Sequence, residues 1–246
     1  MSESFSGLEI VGQLEYASNG TYLTKLVDDL FVYKPISGEK ELWDFPTGTL
    51  ANRERSAYVL DQLLGWNLVP MTQLAEGPLG IGSLQNWVEA DTGLVDIFSA
   101  EEIPDNWFKI MTGIDERGKK VTLAHSPSSR LAQLAVLDVI MNNADRKAGH
   151  ILVDDNGEIF AIDHGVTFHE EFKLRTVLWG WIETPIDEAL IVDLTRARQL
   201  IDESELVQLL SKSEIKALKK RLDTLLSKKS FPEPSSEWPA VPWPIF

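Results

Sequence analysis

The chain has 246 residues, 43% of them hydrophobic and 25% charged, with no cysteine and a formal charge of −15. That composition suits one good-sized core or two small lobes, and it excludes a disulfide framework, a thiolate metal site and a palmitoylated cysteine. The acidity argues against broad nucleic-acid binding, which draws its affinity from Lys and Arg on phosphates, and no stretch reaches the roughly 20 apolar residues of a membrane span, so a soluble, cytoplasmic protein is expected.

From Leu8 to Lys34, β-branched and aromatic residues are punctuated by Ser18-Asn19-Gly20 and by Asp28-Asp29, which predicts three antiparallel strands. Asn19-Gly20 is the stronger turn signal. A loop over 35–49 then precedes a helix capped by Thr49, running to about Leu64 and stopped by Gly65. Leu50, Ala57, Leu60 and Leu64 give it an apolar stripe. Residues 81–88 read as another strand. Residues 91–128 read as an irregular joint between lobes, because Pro104, Gly113 and Glu116-Arg117-Gly118 interrupt them. The stretch from Ser129 to about Asn143 is apolar on almost every side, apart from Gln133 and Asp138, and predicts a helix buried in a second lobe. Residues 150–163 read as a tight hairpin, and 186–229 as helices divided by a Ser211/Glu214 capping box. The expected architecture is α+β and two-lobed, with residues 1–90 rich in strands and 91–246 mainly helical.

The hairpin carries the chemistry. With Asn156-Gly157 at the turn, Val153 faces Phe160, Ile151 faces Ile162 and His150 faces Asp163, their Cβ atoms roughly 5 Å apart. A bulged three-residue loop would shift that register by one. Asp145 precedes His150 by five residues, in a loop after the buried helix, so the three groups can converge. Phosphoryl transfer needs one carboxylate to accept or orient a hydroxyl proton and another to hold Mg²⁺ between phosphate oxygens. Asp145 suits the first role and Asp163 the second; the plain alternative is a surface Asp145-Arg146 ion pair and a strand-ending Asp163. Upstream, Lys34 ends the third predicted strand, where an inward ammonium reaches phosphate oxygens. The Ser18, Asn19, Gly20 and Thr21 tip can cover the same phosphates with N–H groups and hydroxyls. Glu54 is the charge-matched partner for Lys34, although Arg53 lies nearer the middle of the apolar stripe.

These motifs, in this order, resemble the phosphatidylinositol 3- and 4-kinase superfamily, and most closely its type II phosphatidylinositol 4-kinases. The resemblance covers about residues 14–185: Ser18 to Tyr22, Val32 to Pro35, Glu54 to Asp61, Leu64 to Thr72, Ser83 to Glu89, Ala135 to Arg146 and Ala161 to Gly165. The whole chain also looks like a group of short kinase-like proteins of actinobacterial type. The resemblance implies a kinase that uses ATP and Mg²⁺. Lys34 would bind phosphate, Glu54 would hold Lys34, Asp145 would be the catalytic aspartate and Asp163 a Mg²⁺ ligand. Gln85, Trp87 and Val88 would lie in the linker that meets adenine. Where the family places an asparagine as metal ligand, this chain has His150; imidazole suits softer metals than Mg²⁺, so Mn²⁺ use or a nucleotide-binding pseudokinase stays open. AMP transfer on the same fold stays open too. The missing cysteines weaken the lipid part of the resemblance, leaving a soluble polyol, an inositol-bearing molecule or a protein as acceptor.

Lys173 and Arg175 follow the metal aspartate, where they could grip an acidic or phosphorylated substrate. His164 and His169 are candidate acid–base groups, His125 reads as structural, and Trp179 and Trp181 read as core. The lysines from Lys212 to Lys229 read as a solvated helix face. The aromatic, proline-rich tail from Trp238 to Phe246 reads as docked on the protein's own surface.

Overall fold

The structure is a computed structural model that describes residues 3–5, 7–14, 19–99 and 101–246. The first lobe holds β1 (Glu3–Ser4), β2 (Glu9–Gln13), β3 (Tyr22–Leu26), β4 (Asp29–Pro35), α1 (Leu50–Leu64), β5 (Thr72–Gly77) and β6 (Gly80–Asn86). Its strands form one six-stranded sheet in the order β1-β5-β6-β4-β3-β2, in which β1 and β5 run parallel and the other neighbours antiparallel. The three strands expected between Leu8 and Lys34 are β2, β3 and β4.

Alternation along β4 decides where the lysine points. Phe31 and Tyr33 bury themselves with Leu8, Ala75 and Leu84 in a small cluster on one face. Successive strand side chains take opposite faces, so Val32 and Lys34 turn to the other face, where both line a cleft. On the neighbouring strand Ser83 pairs with Lys34 and Gly82 with Pro35.

Helix α1 ends as expected, at Gly65 with a φ of +71°, a conformation glycine adopts without strain. Its start differs. The Thr49 hydroxyl turns back to the Pro46 carbonyl (2.7 Å) and makes no cap hydrogen bond. Glu39, from the preceding loop, accepts the Ala51 N–H instead (3.0 Å). Two arginines tie α1 to the second lobe: Arg53 donates to Glu214 and to the Thr167 carbonyl, and Arg55 pairs with Glu205 (2.6 Å).

The expected irregular joint is a folded element. Residues 91–128 contain β7 (Val95–Ser99), β8 (Phe108–Ile114) and β9 (Lys120–His125), an antiparallel sheet in the order β7-β9-β8. Its alternation is hidden because β8 leaves Met111 and Ile114 exposed and its register slips between Lys109 and Met111. His125 is structural as expected: it is buried and its Nε2 accepts the Gly180 N–H (3.0 Å).

Beyond it come α2 (Ser129–Met141), the hairpin β10 (Ile151–Val153) and β11 (Ile159–Ala161), then α3 (Glu188–Leu200), α4 (Leu206–Leu209) and α5 (Lys212–Lys228). Helix α2 is buried along its length and stops where Asn142 takes a left-handed φ of +55°. The Ser211/Glu214 capping box opens α5. The hairpin register corrects the expected one: Ile151 faces Ala161 and Val153 faces Ile159. Its turn is a bulged three-residue loop in which Gly157 has a φ of +80° and Asp154 N–H bonds the Glu158 carbonyl (3.0 Å). Trp179 belongs to the core, and Trp181 packs against it. The tail docks on the protein: Ala240 O accepts from Thr176 N (3.0 Å) and from Trp179 Nε1 (2.8 Å). Among the described residues no helix is long and apolar enough to cross a membrane.

A Cβ at Gly82 would collide with the Lys34 carbonyl oxygen and with Pro35 Cα (2.6 Å). Gly82→Ala should therefore destabilise the protein by about 1–3 kcal/mol by overpacking, read as a lower urea midpoint. An unchanged midpoint would show that β4 and β6 can part without cost.

Candidate active site

The site is built around a carboxylate on a largely apolar helix. Asp138 is fully buried in α2, and it accepts from Arg146 Nε (3.1 and 3.2 Å), Asn143 Nδ2 (3.0 Å) and Thr176 Oγ1 (3.2 Å). Arg146, buried as completely, spends its remaining N–H groups on the Ile162 carbonyl (2.7 Å) and on His164 Nε2 (2.8 Å). The surface Asp145-Arg146 pair therefore does not form: Arg146 turns into the core, and Asp145 faces Lys147 (Oδ2 to Nζ 3.6 Å). The Asp145 N–H is pinned by Asn143 Oδ1 (2.9 Å).

Arg146 thereby fixes Ile162 and His164, the residues on either side of Asp163. Asp163 has a φ of +59°, rare for a non-glycine residue, in the turn that leads from the hairpin to the buried His164. That backbone turn brings the Asp163 carboxylate to both Lys34 and His150. Lys34 Nζ donates to Asp163 Oδ1 (2.8 Å) and to Glu54 Oε1, and His150 Nε2 lies 3.4 Å from Asp163 Oδ2. The second Glu54 oxygen accepts the His164 N–H (2.9 Å). The His150–Asp163 approach expected from direct pairing thus arises in a different register. Its sources are the Asp163 turn and the Ile162 N–H bond to the His150 carbonyl (3.0 Å).

The charges are strongly coupled. Burial alone would lower the Lys34 ammonium, but Asp163 and then Glu54 outweigh it and hold Lys34 above its usual value. Burial alone would raise Asp163, yet Lys34 and then His150 hold it well below the carboxylate range; its side chain stays 47% exposed to the cleft. Glu54 is raised by burial, with Lys34 opposing. Burial pushes Asp145 up to about 6, Lys147 opposing and Asp163 reinforcing the shift. Burial likewise lowers His150 to about 4, so its imidazole is neutral near neutrality. His164 falls well below its usual value through burial and then Arg146.

Lys34, Glu54, Asp145, Lys147, His150 and Asp163 all line one cleft of about 570 Å³. Asn19, Gly20 and Thr21 line it as well; Ser18 lies outside the described residues. The tip is braced rather than free, because Gly20 N–H bonds the Gly38 carbonyl (2.9 Å) and Asn19 Oδ1 accepts the Lys40 N–H (2.9 Å). Gln85, Trp87 and Val88 line the cleft too. The Gln85 amide is turned away to Thr72 Oγ1 (2.7 Å) and the Trp87 N–H is taken by the Leu30 carbonyl (3.0 Å), whereas the Val88 N–H has no partner among the described residues.

Lys173 is not a surface cation. It is buried, paired with Asp44 Oδ2 (2.7 Å), and lies 4.7 and 5.0 Å from the ring centroids of Trp43 and Trp238. His169 sits away from the cleft lining, its Nε2 bonded to the Asp44 carbonyl (2.9 Å). Asp138 was missed as a site residue; its only sequence signal is a carboxylate interrupting an apolar helix.

Among the described residues no group of three or more His, Asp or Glu side chains is arranged to hold a cation alone. Asp163 and His150 nonetheless fit a shared one. They are adjacent donors, the imidazole is neutral, and Mg²⁺ is usually held by one or two protein groups plus phosphate oxygens.

Fold and cleft together define a kinase-like phosphotransferase architecture, strand-rich first and helical later. The sequence profile described as phosphatidylinositol 3- and 4-kinase matches residues 106–224. Over 257 aligned residues the chain is 41% identical to protein Rv2133c of Mycobacterium tuberculosis, covering 97% of this chain and 92% of that one. It is 30% identical over 151 residues to phosphatidylinositol 4-kinase gamma 4 of Oryza sativa subsp. japonica, covering 54% of this chain but 22% of that much longer protein. The crystal structure of the Golgi casein kinase with Mn/ADP bound superposes with a TM-score of 0.52 at 12% identity, covering 91% of this chain and 73% of that one, a likeness of fold alone. The profile match over residues 106–224 supports a phosphatidylinositol 3- and 4-kinase-like superfamily member.

Removing one member of a buried ion pair leaves the other charged and unpaired. Arg146→Leu should therefore cost about 3–5 kcal/mol of unfolding free energy, and the Asp138→Leu/Arg146→Leu double variant should recover part of it. Urea unfolding of both variants beside the unaltered protein checks this, and a loss below about 1 kcal/mol for Arg146→Leu would contradict it.

Proposed function

We propose that the protein transfers the γ-phosphoryl group of ATP to a hydroxyl of a soluble small molecule, inositol-like compounds included, or of a protein. One observation carries the reading: the Lys34 ammonium, held between Glu54 and Asp163, lines the same cleft as Asp145 and Lys147. We place the lobe boundary near residue 90 and the protein in the cytoplasm, where ATP is plentiful.

In this reading Lys34 binds phosphate oxygens and Glu54 positions it. Asn19, Gly20 and Thr21 form the wall over the phosphates, and Val88 offers its free N–H to adenine, with Gln85 and Trp87 beside it. Asp145 accepts the acceptor's hydroxyl proton as the new oxygen–phosphorus bond forms and the bond to the bridging oxygen of departing ADP breaks. Lys147, close to Asp145, offsets negative charge on the oxygens in transit. Asp163 and His150 would hold Mg²⁺, or Mn²⁺ given the imidazole, and such an ion neutralises phosphate oxygens. Nucleotide with a divalent metal in the Golgi casein kinase supports the choice of ligands.

A second reading, a pseudokinase that binds nucleotide without turnover, is favoured by one observation: an imidazole stands where an oxygen donor is expected. Mg-ATP at 100 times its Kd should stabilise the chain by about 2.7 kcal/mol in a thermal-shift measurement. Asp145→Asn should keep that shift and lose about 10²–10⁴-fold in turnover. Binding with no ADP formed on any acceptor would decide for the second reading, and no shift at all would remove both.

The pH dependence follows from the sign of one shift. Asp145 works as the carboxylate, and burial raises it to about 6. On this reading kcat/KM should fall as the pH drops through about 6, and the limb should vanish in Asp145→Asn. A flat profile down to the ordinary carboxylate range would rule Asp145 out as the base.

A further inference from the structure

The cation on the far side of Asp145 has no anion. Residues Arg175 to Val177 lie alongside the Asn143 to Arg146 loop as a short parallel pair. Arg175 N donates to Asn143 O (2.9 Å), Arg146 N to Arg175 O (3.0 Å) and Val177 N to Arg146 O (3.2 Å), which sets Thr176 opposite Arg146. Opposed residues share a face, and each neighbour along an extended chain takes the other face. Arg146 and Thr176 both turn inward onto Asp138. Asp145 and Arg175 must therefore turn the opposite way together.

Arg175 is left unpaired there. Among the described residues it forms no ion pair and its guanidinium makes no hydrogen bond, while its Nε is buried without an acceptor. Asp145 does not close on it, leaning instead to Lys147. Asp145 and Lys147 line the nucleotide cleft, but Arg175 does not. Asp145 is thus the shared edge between the cleft and the guanidinium. The floor on this side is fixed by the C-terminal segment, since Ala240 O holds Thr176 N (3.0 Å) and Ile245 O holds Ala148 N (2.9 Å). Lys173, the neighbouring cation, is locked onto Asp44 and cannot serve.

We infer that Arg175 recognises an anionic group on the acceptor, so that the hydroxyl compound reaching Asp145 carries a phosphate or carboxylate close to that hydroxyl. A planar guanidinium meets both anions through paired N–H donors, and it discriminates against a neutral polyol, which would leave those donors unmatched. The inference rests on the phosphotransfer reading and narrows its acceptor to charged alcohols.

The test uses all 246 residues, ¹⁵N-labelled, with inorganic phosphate as probe; the reporters are the Arg175 Nε–H resonance in the unaltered protein and, in every variant, the backbone amide resonances of residues 175 and 177. Phosphate should shift these resonances with a Kd on the order of millimolar. Arg175→Gln should weaken phosphate binding about tenfold or more, with Arg175→Lys intermediate. Lys34→Met should leave the titration unchanged, because the cleft is a separate site. Resonances that stay still, binding by the backbone amides that is equal in Arg175→Gln, or binding lost in Lys34→Met would each overturn the assignment. In turnover, glycerol 3-phosphate or glycerate should be preferred over glycerol, and equal kcat/KM for glycerol would overturn Arg175 while sparing the kinase reading. Phosphatidylinositol vesicles separate a membrane source of the anion from a dissolved one; a preference for either over its neutral counterpart supports the assignment. Absence of an Mg-ATP thermal shift alongside an intact phosphate titration would sink the kinase reading and leave Arg175 as an anion site, overturning its acceptor role.

Discussion

The Asp138–Arg146 ion pair is the constraint from which the rest of the site follows. Two charges with no solvent access are tolerable only when nearly every lone pair and N–H has a partner. Satisfying that demand recruits Asn143, Thr176, the Ile162 carbonyl and His164, drawn from three separate stretches of chain. The geometry of the loop from Asn143 to Lys147 is a by-product of solving this desolvation problem. Asp145 is presented to the cleft because Arg146 must face inward, and Arg175 faces outward because Thr176 must not.

The second tier is the Lys34 network, which spans the lobes. Asp163 reaches Lys34 through a left-handed backbone turn that the His164 contacts with Arg146 and Glu54 hold in place. Strain at such a position persists only where surrounding bonds over-determine it. The cleft therefore holds a preset balance: one ammonium, raised by two carboxylates, with a neutral imidazole beside them. Charges arranged before any ligand arrives need little reorganisation when one binds.

How legible was this in the sequence? The strand that carries Lys34 and the helix that carries Glu54 were readable, because alternation and a glycine stop are local signals. The hairpin was readable as a hairpin but not in register, since a bulged turn and a two-residue turn differ only in the conformation of residues such as Gly157. The β7-β9-β8 sheet was invisible: exposed apolar residues such as Ile114 and the slip after Lys109 erase period two. Lys173 misled for another reason, because nothing local tells a surface lysine from one caged by Trp43 and Trp238, residues far apart in sequence. Asp138 and Arg146 were visible as residues but not as partners, since pairing across a helix end is a tertiary fact.

The arginines at positions 53 and 55 have a mechanical consequence. In a two-lobed fold a swinging helix is one way to admit a ligand, yet α1 is anchored to the second lobe through Glu214 and Glu205 at neighbouring points of its length. Rotating it outward would strip Arg53, which is almost fully buried, of both the Glu214 carboxylate and the Thr167 carbonyl. At the other edge of the cleft, Gly20 and Gly38 meet through one backbone bond and Asn19 holds the Lys40 N–H, so that side is braced within the first lobe alone. Two anchors two residues apart act as a stop, fixing how far α1, and with it Glu54, stands from the second lobe.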